Sequence, residues 1–252
     1  MEYRKFYELI GKYYPEEKIN YSKPNSRIRE KLIKEYLKRE KGLIIDIGCG
    51  EGRYLKENII GADISIEKLK KAKKKRNLSL LINLDIEGEL CFRDNSFDFV
   101  LFSEVLEHLR FPEKALKNIF NILKPSGKLL LTVPHRLRRA IEYEDIKPLR
   151  EYGIKEGTYG NKYIHRNFSK EEIASLLKKT GFEIVELYSI ENELRGWGKF
   201  VLPFIKFPRF YKIIEPIYLN FVYNFLFETG LIKLQKKIFK EGMRLFTLSI
   251  KP

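Results

Sequence analysis

Cysteine is scarce in this chain of 252 residues: Cys49 and Cys91 are the only two, and they form no C-x-x-C pair. A disulfide framework and a cysteine-built zinc site are therefore excluded. Histidine is equally thin, with His108, His135 and His165 scattered along the chain, so no metal site is expected. Glutamine occurs once, at Gln235, in a chain rich in Lys, Ile and Glu, a usage that resembles hyperthermophile proteins. No apolar run reaches the roughly 20 residues that cross a bilayer; the charge-free stretch Pro216 to Phe227 is too short. Met1-Glu2-Tyr3-Arg4-Lys5 leads into no hydrophobic signal region, and there is no internal repeat or low-complexity linker. Few cysteines and no leader predict a cytoplasmic location. Acid is also in deficit, with 34 Asp and Glu against 49 Lys and Arg and a net charge of +15. The imbalance suits an acidic partner such as nucleic acid, an anionic membrane or an acidic substrate, although a general bias toward lysine contributes to it.

What is present points to a globular α/β protein. The apolar fraction of 44% supports an ordinary core, and the length suits one domain with an appendage. The chain is organised around Leu43-Ile44-Ile45-Asp46-Ile47-Gly48-Cys49-Gly50-Glu51-Gly52. Its apolar start reads as a buried parallel strand, and its three alternating glycines form a turn that leaves no Cβ between backbone and ligand. Such a turn places a ligand at the carboxyl end of a sheet. The spacing is G-x-G-x-G; the dinucleotide fingerprint would need its third glycine at Arg53. Asp46 precedes the loop and is expected to hydrogen-bond its amides, so the ligand need not be a pyrophosphate.

Before the loop, Tyr3, Phe6, Tyr7, Ile10 and Tyr14 form an aromatic stripe on one helix, and a second helix is expected to be capped by Asn25 or Ser26. After it come a short helix around Arg53 to Glu57, a strand Ile59 to Asp63, and a lysine-rich helix capped by Ser65. Further strands are expected at Leu78 to Asn83, Phe97 to Phe102, Leu129 to Pro134, Phe182 to Ile190 and Met243 to Ile250. A helix opens at Pro112, Lys124 to Lys128 is a turn, and Ser169 with Glu172 is a capping box for a helix that Gly181 stops. Arg136 to Phe168 reads as a long connection, and such connections are usually functional.

The motifs, in this order, resemble class I S-adenosylmethionine (SAM)-dependent methyltransferases, and within them the small-molecule, UbiE/UbiG-like (type 11) branch. The glycine stretch is similar to motif I, Ser103-Glu104-Val105-Leu106-Glu107-His108-Leu109 to motif IV, and "LKPSGKLLLTVP" to the segment before the substrate pocket. The resemblance implies a Rossmann-like seven-stranded α/β sheet with helices on both faces and a helical insertion before the last strand. It implies SAM as cofactor, with Asp46, Gly48, Cys49, Gly50 and Gly52 at the methionine end, Asp63 and Ile64 at the ribose, Asp85 and Ile86 at the adenine, and Ser103 beside them. The domains expected are an N-terminal helical cap over 1–40, a core over 41–190 plus 243–252, and an insertion over 191–242. No N/D-P-P-Y/F follows the fourth strand, and no cysteine ends the fourth or fifth, which counts against common nucleic-acid branches.

In-line displacement at a sulfonium methyl needs alignment and, for an oxygen or carbon acceptor, a base. The candidates are His135, His165 and His108, with Tyr163, Tyr143 or Tyr159 orienting the acceptor. The expected acceptor is a small or amphiphilic molecule, a lipid or isoprenoid among them. Two alternatives stay open: an RNA methyltransferase, and a membrane-associated SAM-binding protein without catalysis. Residues 197–240 interleave aromatics with lysines and arginines, and Pro203, Pro208 and Pro216 are expected to break them into short helices. Contact with an anionic membrane surface at the inner face, a lid or dimer surface, and RNA contact are the three readings of this insertion.

Overall fold

The computed structural model describes residues 1–20, 22–76, 80–206 and 208–252, without the side chains of residues 20, 76, 201, 202, 204–206, 208, 209, 211 and 212. The expected start of the third strand at Leu78 lies outside the described residues, as do Phe207 and the side chains of Phe204, Lys206, Arg209, Tyr211 and Lys212.

In chain order the elements are α1 (Tyr3–Tyr13), α2 (Glu16–Asn20), α3 (Pro24–Arg39), β1 (Ile44–Ile47), β2 (Ile59–Asp63), α4 (Ile66–Arg76), β3 (Leu81–Asn83) and β4 (Phe97–Ser103). A 3-10 turn at Leu106–His108 leads to α5 (Pro112–Ile122), β5 (Leu123–Pro134), β6 (Tyr143–Asp145), α6 (Lys147–Arg150), β7 (Lys162–Ile164), α7 (Lys170–Thr180) and β8 (Glu183–Ile190). A 3-10 segment at Trp197–Lys206, α8 (Pro208–Glu228), α9 (Ile232–Ile238) and β9 (Arg244–Ile250) complete the chain.

The chain divides into two units, the first being Met1–Tyr14, Glu40–Tyr188 and Leu245–Pro252, the second Pro15–Arg39 and Ser189–Arg244. The stretch expected as one leading cap is thus split, because α1 packs with the sheet while α2 and α3 group with the insertion.

The first unit is a seven-stranded sheet in the order β3-β2-β1-β4-β5-β9-β8. β1 pairs in parallel with β2 and β4, β2 with β3, and β4 with β5. The order reverses between β1 and β4, and the crevice beyond the carboxyl ends at such a switch point is where α/β sheets hold ligands. β1 is buried throughout, as a central parallel strand must be. Phe97, Val100, Phe102, Leu129 and Leu131 of the sheet pack with Ala115, Leu116 and Ile119 of α5 and Ile173 and Leu177 of α7. The capping box of Ser169 and Glu172 is formed, and Gly181 ends α7 at φ +108°.

Several local expectations change. Arg53 to Glu57 is no helix but isolated turns, with Gly52 N–H donating to Cys49 O and Leu55 N–H to Gly52 O. Too few residues separate the left-handed glycines from β2 for a helix to nucleate. The turn at Lys124 to Lys128 is absorbed into β5 as an irregularity, Phe97 pairing with Leu123 and Phe99 with Lys128. The long connection after β5 carries its own antiparallel hairpin, β6 with β7. α3 starts earlier than expected, at Pro24, whose ring favours a first helical turn.

In the second unit Pro216 does not break the insertion; it lies inside the 21-residue α8. Asn220 Nδ2 donates to the Pro216 carbonyl at 2.7 Å. Leu219, Val222 and Leu226 of α8 bury against Leu194, with Trp197, Tyr218, Tyr223 and Ile232 around them. Arg29 and Glu191 form a buried ion pair at 2.8 Å.

Candidate active site

The chain leaves β1 through Gly48, Gly50 and Gly52, with φ of +78°, +55° and +83°. All three lie in the left-handed region that favours glycine. The Gly48 and Cys49 amides donate to the Ala62 carbonyl at 2.7 and 3.0 Å, tying the loop to β2. A Cβ on Gly48 would come within 2.2 Å of Val105 Cγ2, so that glycine is required by the segment after β4. A Cβ on Gly50 would meet no atom of the described residues within 4 Å. Gly50 therefore presents bare backbone to open space, a cradle for a ligand that a side chain would fill. No helix starts here, so the loop lacks the helix dipole that suits phosphates.

Asp63 ends β2 and binds the loop: its Oδ2 accepts from Gly50 N–H and its Oδ1 from Ser65 N–H, both at 2.9 Å. A carboxylate offers about four acceptor sites, the kind of group that can hold neighbouring hydroxyls. Asp46 behaves differently from expectation. It is 2% exposed, and the amides of Gly48, Cys49 and Gly50 go to Ala62 and Asp63 instead of to it. Its Oδ2 has no hydrogen-bond partner among the described residues. Burial first, and then the charge of Asp63, push its pKa up to about 8. An orphaned buried acid of this kind suits a ligand bearing a cation. Burial also raises the Cys49 thiol, which stays protonated.

A pH signature follows from Asp46. An acid whose folded pKa lies above its unfolded value holds its proton more tightly when folded, so stability is lost as pH rises from about 4 to about 8 and is level above that. Asp46→Asn is expected to flatten this fall, which amounts to several kcal/mol, in denaturation curves recorded across that range.

Further along the crevice, Asp85 is half-buried and its Oδ1 accepts from Glu87 N–H at 2.9 Å. Ile86 packs in the core and its carbonyl accepts from Asn118, while the Ile64 carbonyl accepts from Asn83. Ser103 and Thr132 are 2.8 Å apart, and Thr132 donates to Glu104 Oε1 at 3.1 Å, so Ser103 is the donor to Thr132. Glu104, at the end of β4, adopts φ +58°. A non-glycine residue held there is backbone strain of a kind that clusters at functional sites.

α1 lies over these strand ends. Glu8 accepts from Ile66 N–H at 2.8 Å, Glu67 N–H at 3.2 Å and Ser65 Oγ at 2.9 Å, capping α4 from another helix. Gly11 allows the close approach, since a Cβ there would come within 2.3 Å of Ser65 Oγ. Glu8→Ala is expected to cost about 1–2 kcal/mol by thermal denaturation, the usual range for a lost cap.

α1 also delivers Tyr3 and Tyr7. Tyr3 Oη donates to the His108 carbonyl at 3.1 Å. Burial, then the charges of Glu87 and Asp85, hold Tyr3 far above its usual pKa; burial does the same for Tyr7, so both remain neutral phenols. Arg110 stacks over the Tyr3 ring at 4.7 Å. The His108 ring meets Tyr7 at 5.9 Å and His165 at 4.9 Å, both edge to face. His108 Nδ1 lies 3.3 Å from the Ile164 carbonyl, which can only accept, so Nδ1 is the donor in this contact. Tyr163 Oη donates to Glu144 Oε2 at 2.8 Å, and Glu144 Oε1 lies 3.7 Å from His165 Nε2.

The structure thus brings together His108, His165 and Tyr163, three of the six residues expected to act on or orient the acceptor. His135 is placed differently, at the end of β5, bridged to Phe168 and near Glu171. Tyr143 and Tyr159 face each other at 5.2 Å on the neighbouring hairpin. Sequence reasoning missed Glu8, Glu104 and Glu144. The only signal was Glu104 itself, inside the segment that follows the fourth strand; Glu8 and Glu144 act through contacts that no local pattern encodes.

A family model described as a methyltransferase domain matches residues 20–187. An uncharacterised protein of Methanocaldococcus jannaschii is 33% identical over 189 residues, which is 72% of this chain and 81% of that protein. A ubiquinone/menaquinone biosynthesis C-methyltransferase of Salmonella arizonae is 27% identical over 148 residues, 52% of this chain and 59% of that protein. Among solved structures, the 1,6-didemethyltoxoflavin-N1-methyltransferase of Burkholderia thailandensis, bound to 1,6-didemethyltoxoflavin and S-adenosylhomocysteine, superposes with a TM-score of 0.58 at 15% identity, covering 98% of this chain and 87% of that one. The chain belongs to the methyltransferase-domain family, and it is a class I methyltransferase with SAM as its cofactor.

Proposed function

We propose that the enzyme methylates a small or amphiphilic acceptor, a lipid or isoprenoid, at an oxygen or carbon atom. The observation that carries this reading is the His108–His165 pair, set beyond β4 next to the segment that packs on Gly48. SAM supplies the methyl group and its own leaving group. Gly48, Cys49, Gly50 and Gly52 would cradle the methionine end of SAM, and Asp46 would offer a carboxyl group to its ammonium. Asp63 and Ile64 would hold the ribose and Asp85 and Ile86 the adenine, with Ser103 beside them. His108 Nε2 accepts the proton of the acceptor as the methyl is transferred. Glu144 orients His165, Tyr163 fixes Glu144, and the neutral Tyr3 and Tyr7 wall off water.

An aromatic and basic insertion over 197–240 supports an acceptor met at a membrane, with the enzyme in the cytoplasm and peripheral to its inner face. Among the described residues no helix is long and apolar enough to cross a membrane. Transfer of labelled methyl from SAM into lipid, RNA and soluble fractions of an extract tests the assignment. Label is expected in the lipid fraction; label confined to RNA would overturn it.

A further inference from the structure

α8 carries apolar side chains on two opposite faces. Leu219, Val222 and Leu226 are buried within the second unit. Phe210, Ile213, Ile217 and Phe221 are all more than 60% exposed. At 3.6 residues per turn these four fall within an arc of about 80°, on the side away from the buried face. α9 repeats the arrangement, with Leu231, Leu234 and Ile238 exposed and Gln235 buried. A helix apolar all round is normally covered on every side.

We propose that this exposed face of α8 and α9 docks on an anionic lipid bilayer. Charge selects that occupant. Residues 189–244 hold ten Lys and Arg against five Glu. Three of those glutamates are already committed within the unit, Glu191 to Arg29, Glu193 to Lys236 and Glu215 to Lys23, each at 2.8 Å. Lys199, Lys233, Lys237 and Lys240 are exposed and meet no carboxylate within 4 Å among the described residues. A second copy related by a two-fold axis would press lysine-rich rims together. Nucleic acid would stack on rings, which Phe210 and Phe221 offer, but Ile213, Ile217, Leu231, Leu234 and Ile238 make most of this face aliphatic. An apolar stripe bordered by lysines is what an interfacial helix presents to acyl chains and anionic headgroups.

Docking of this face is independent of which acceptor is methylated, and SAM affinity read on the same samples separates the two. The test is co-sedimentation of the full chain with vesicles of phosphatidylcholine alone or mixed with phosphatidylglycerol. The wild type is expected to prefer the mixed vesicles, more weakly at high salt. Ile217→Glu with Phe221→Glu should lower partitioning by at least about tenfold, and Lys233→Gln, Lys237→Gln and Lys240→Gln by about fivefold per lysine, SAM affinity being retained. Should the glutamate pair fail to fold, the surface lysine set alone decides. Equal sedimentation of wild type and lysine variant overturns docking. So does a dimer in light scattering that the glutamate pair abolishes while vesicles are ignored, or retention on homopolymer RNA in place of vesicles.

Discussion

Gly50→Ala is expected to lower SAM affinity by about 100-fold or more, equivalent to about 2.7 kcal/mol, while costing only about 1–2 kcal/mol of stability. The two effects separate because of what surrounds the residue. At φ +55° an alanine pays the moderate penalty of a left-handed residue, and its Cβ touches no atom of the described residues within 4 Å. On the proposed placement of SAM the methyl group would fill the space over the Gly50 backbone that the cofactor uses, so the loss is expected to fall on binding. Gly48→Ala is the contrasting change, since its Cβ meets Val105 and the damage falls on the fold. Calorimetric titration with SAM, beside thermal denaturation of the same two variants, reads both quantities.

His108→Ala is expected to lower kcat by about 10²–10⁴, the span typical of a lost general base, with SAM affinity unchanged. Nδ1 of the ring lies against the Ile164 carbonyl, and Nε2 is the atom that the proposed reading assigns to the acceptor's proton. His165→Ala should produce a smaller loss, because His165 packs against His108 at 4.9 Å and reaches Glu144 on its other side. Single-turnover transfer to the acceptor found in the labelling experiment measures both. If the two variants keep full turnover, the histidine pair is structural.

Much of the fold is legible in local chemistry. Ile44 to Ile47 is apolar except at Asp46 because a central parallel strand is buried on both faces, and Gly48, Gly50 and Gly52 follow because the loop needs positive φ at all three. Ser169, Glu172 and Gly181 mark the ends of α7 by hydrogen bonds that lie within a few residues. Long-range contacts are less visible. Nothing near Glu8 shows that it caps α4, and nothing near Asp46 shows that the loop amides are already taken by Ala62 and Asp63. Pro216 reads as a helix breaker by itself, yet packing of Leu219, Val222 and Leu226 holds α8 together around it. The acceptor side is the hardest to read, because His108 and His165 come from a turn after β4 and the end of β7, and only the folded hairpin brings their rings together.

The most direct measurement is a crystal structure with S-adenosylhomocysteine. The expected result is homocysteine on the Gly50 backbone with its ammonium toward Asp46, ribose on Asp63, adenine beside Asp85, and the sulfur facing His108 across the acceptor space. A sulfur directed away from His108 and His165, or a cofactor bound off the glycine loop, would contradict the assignment.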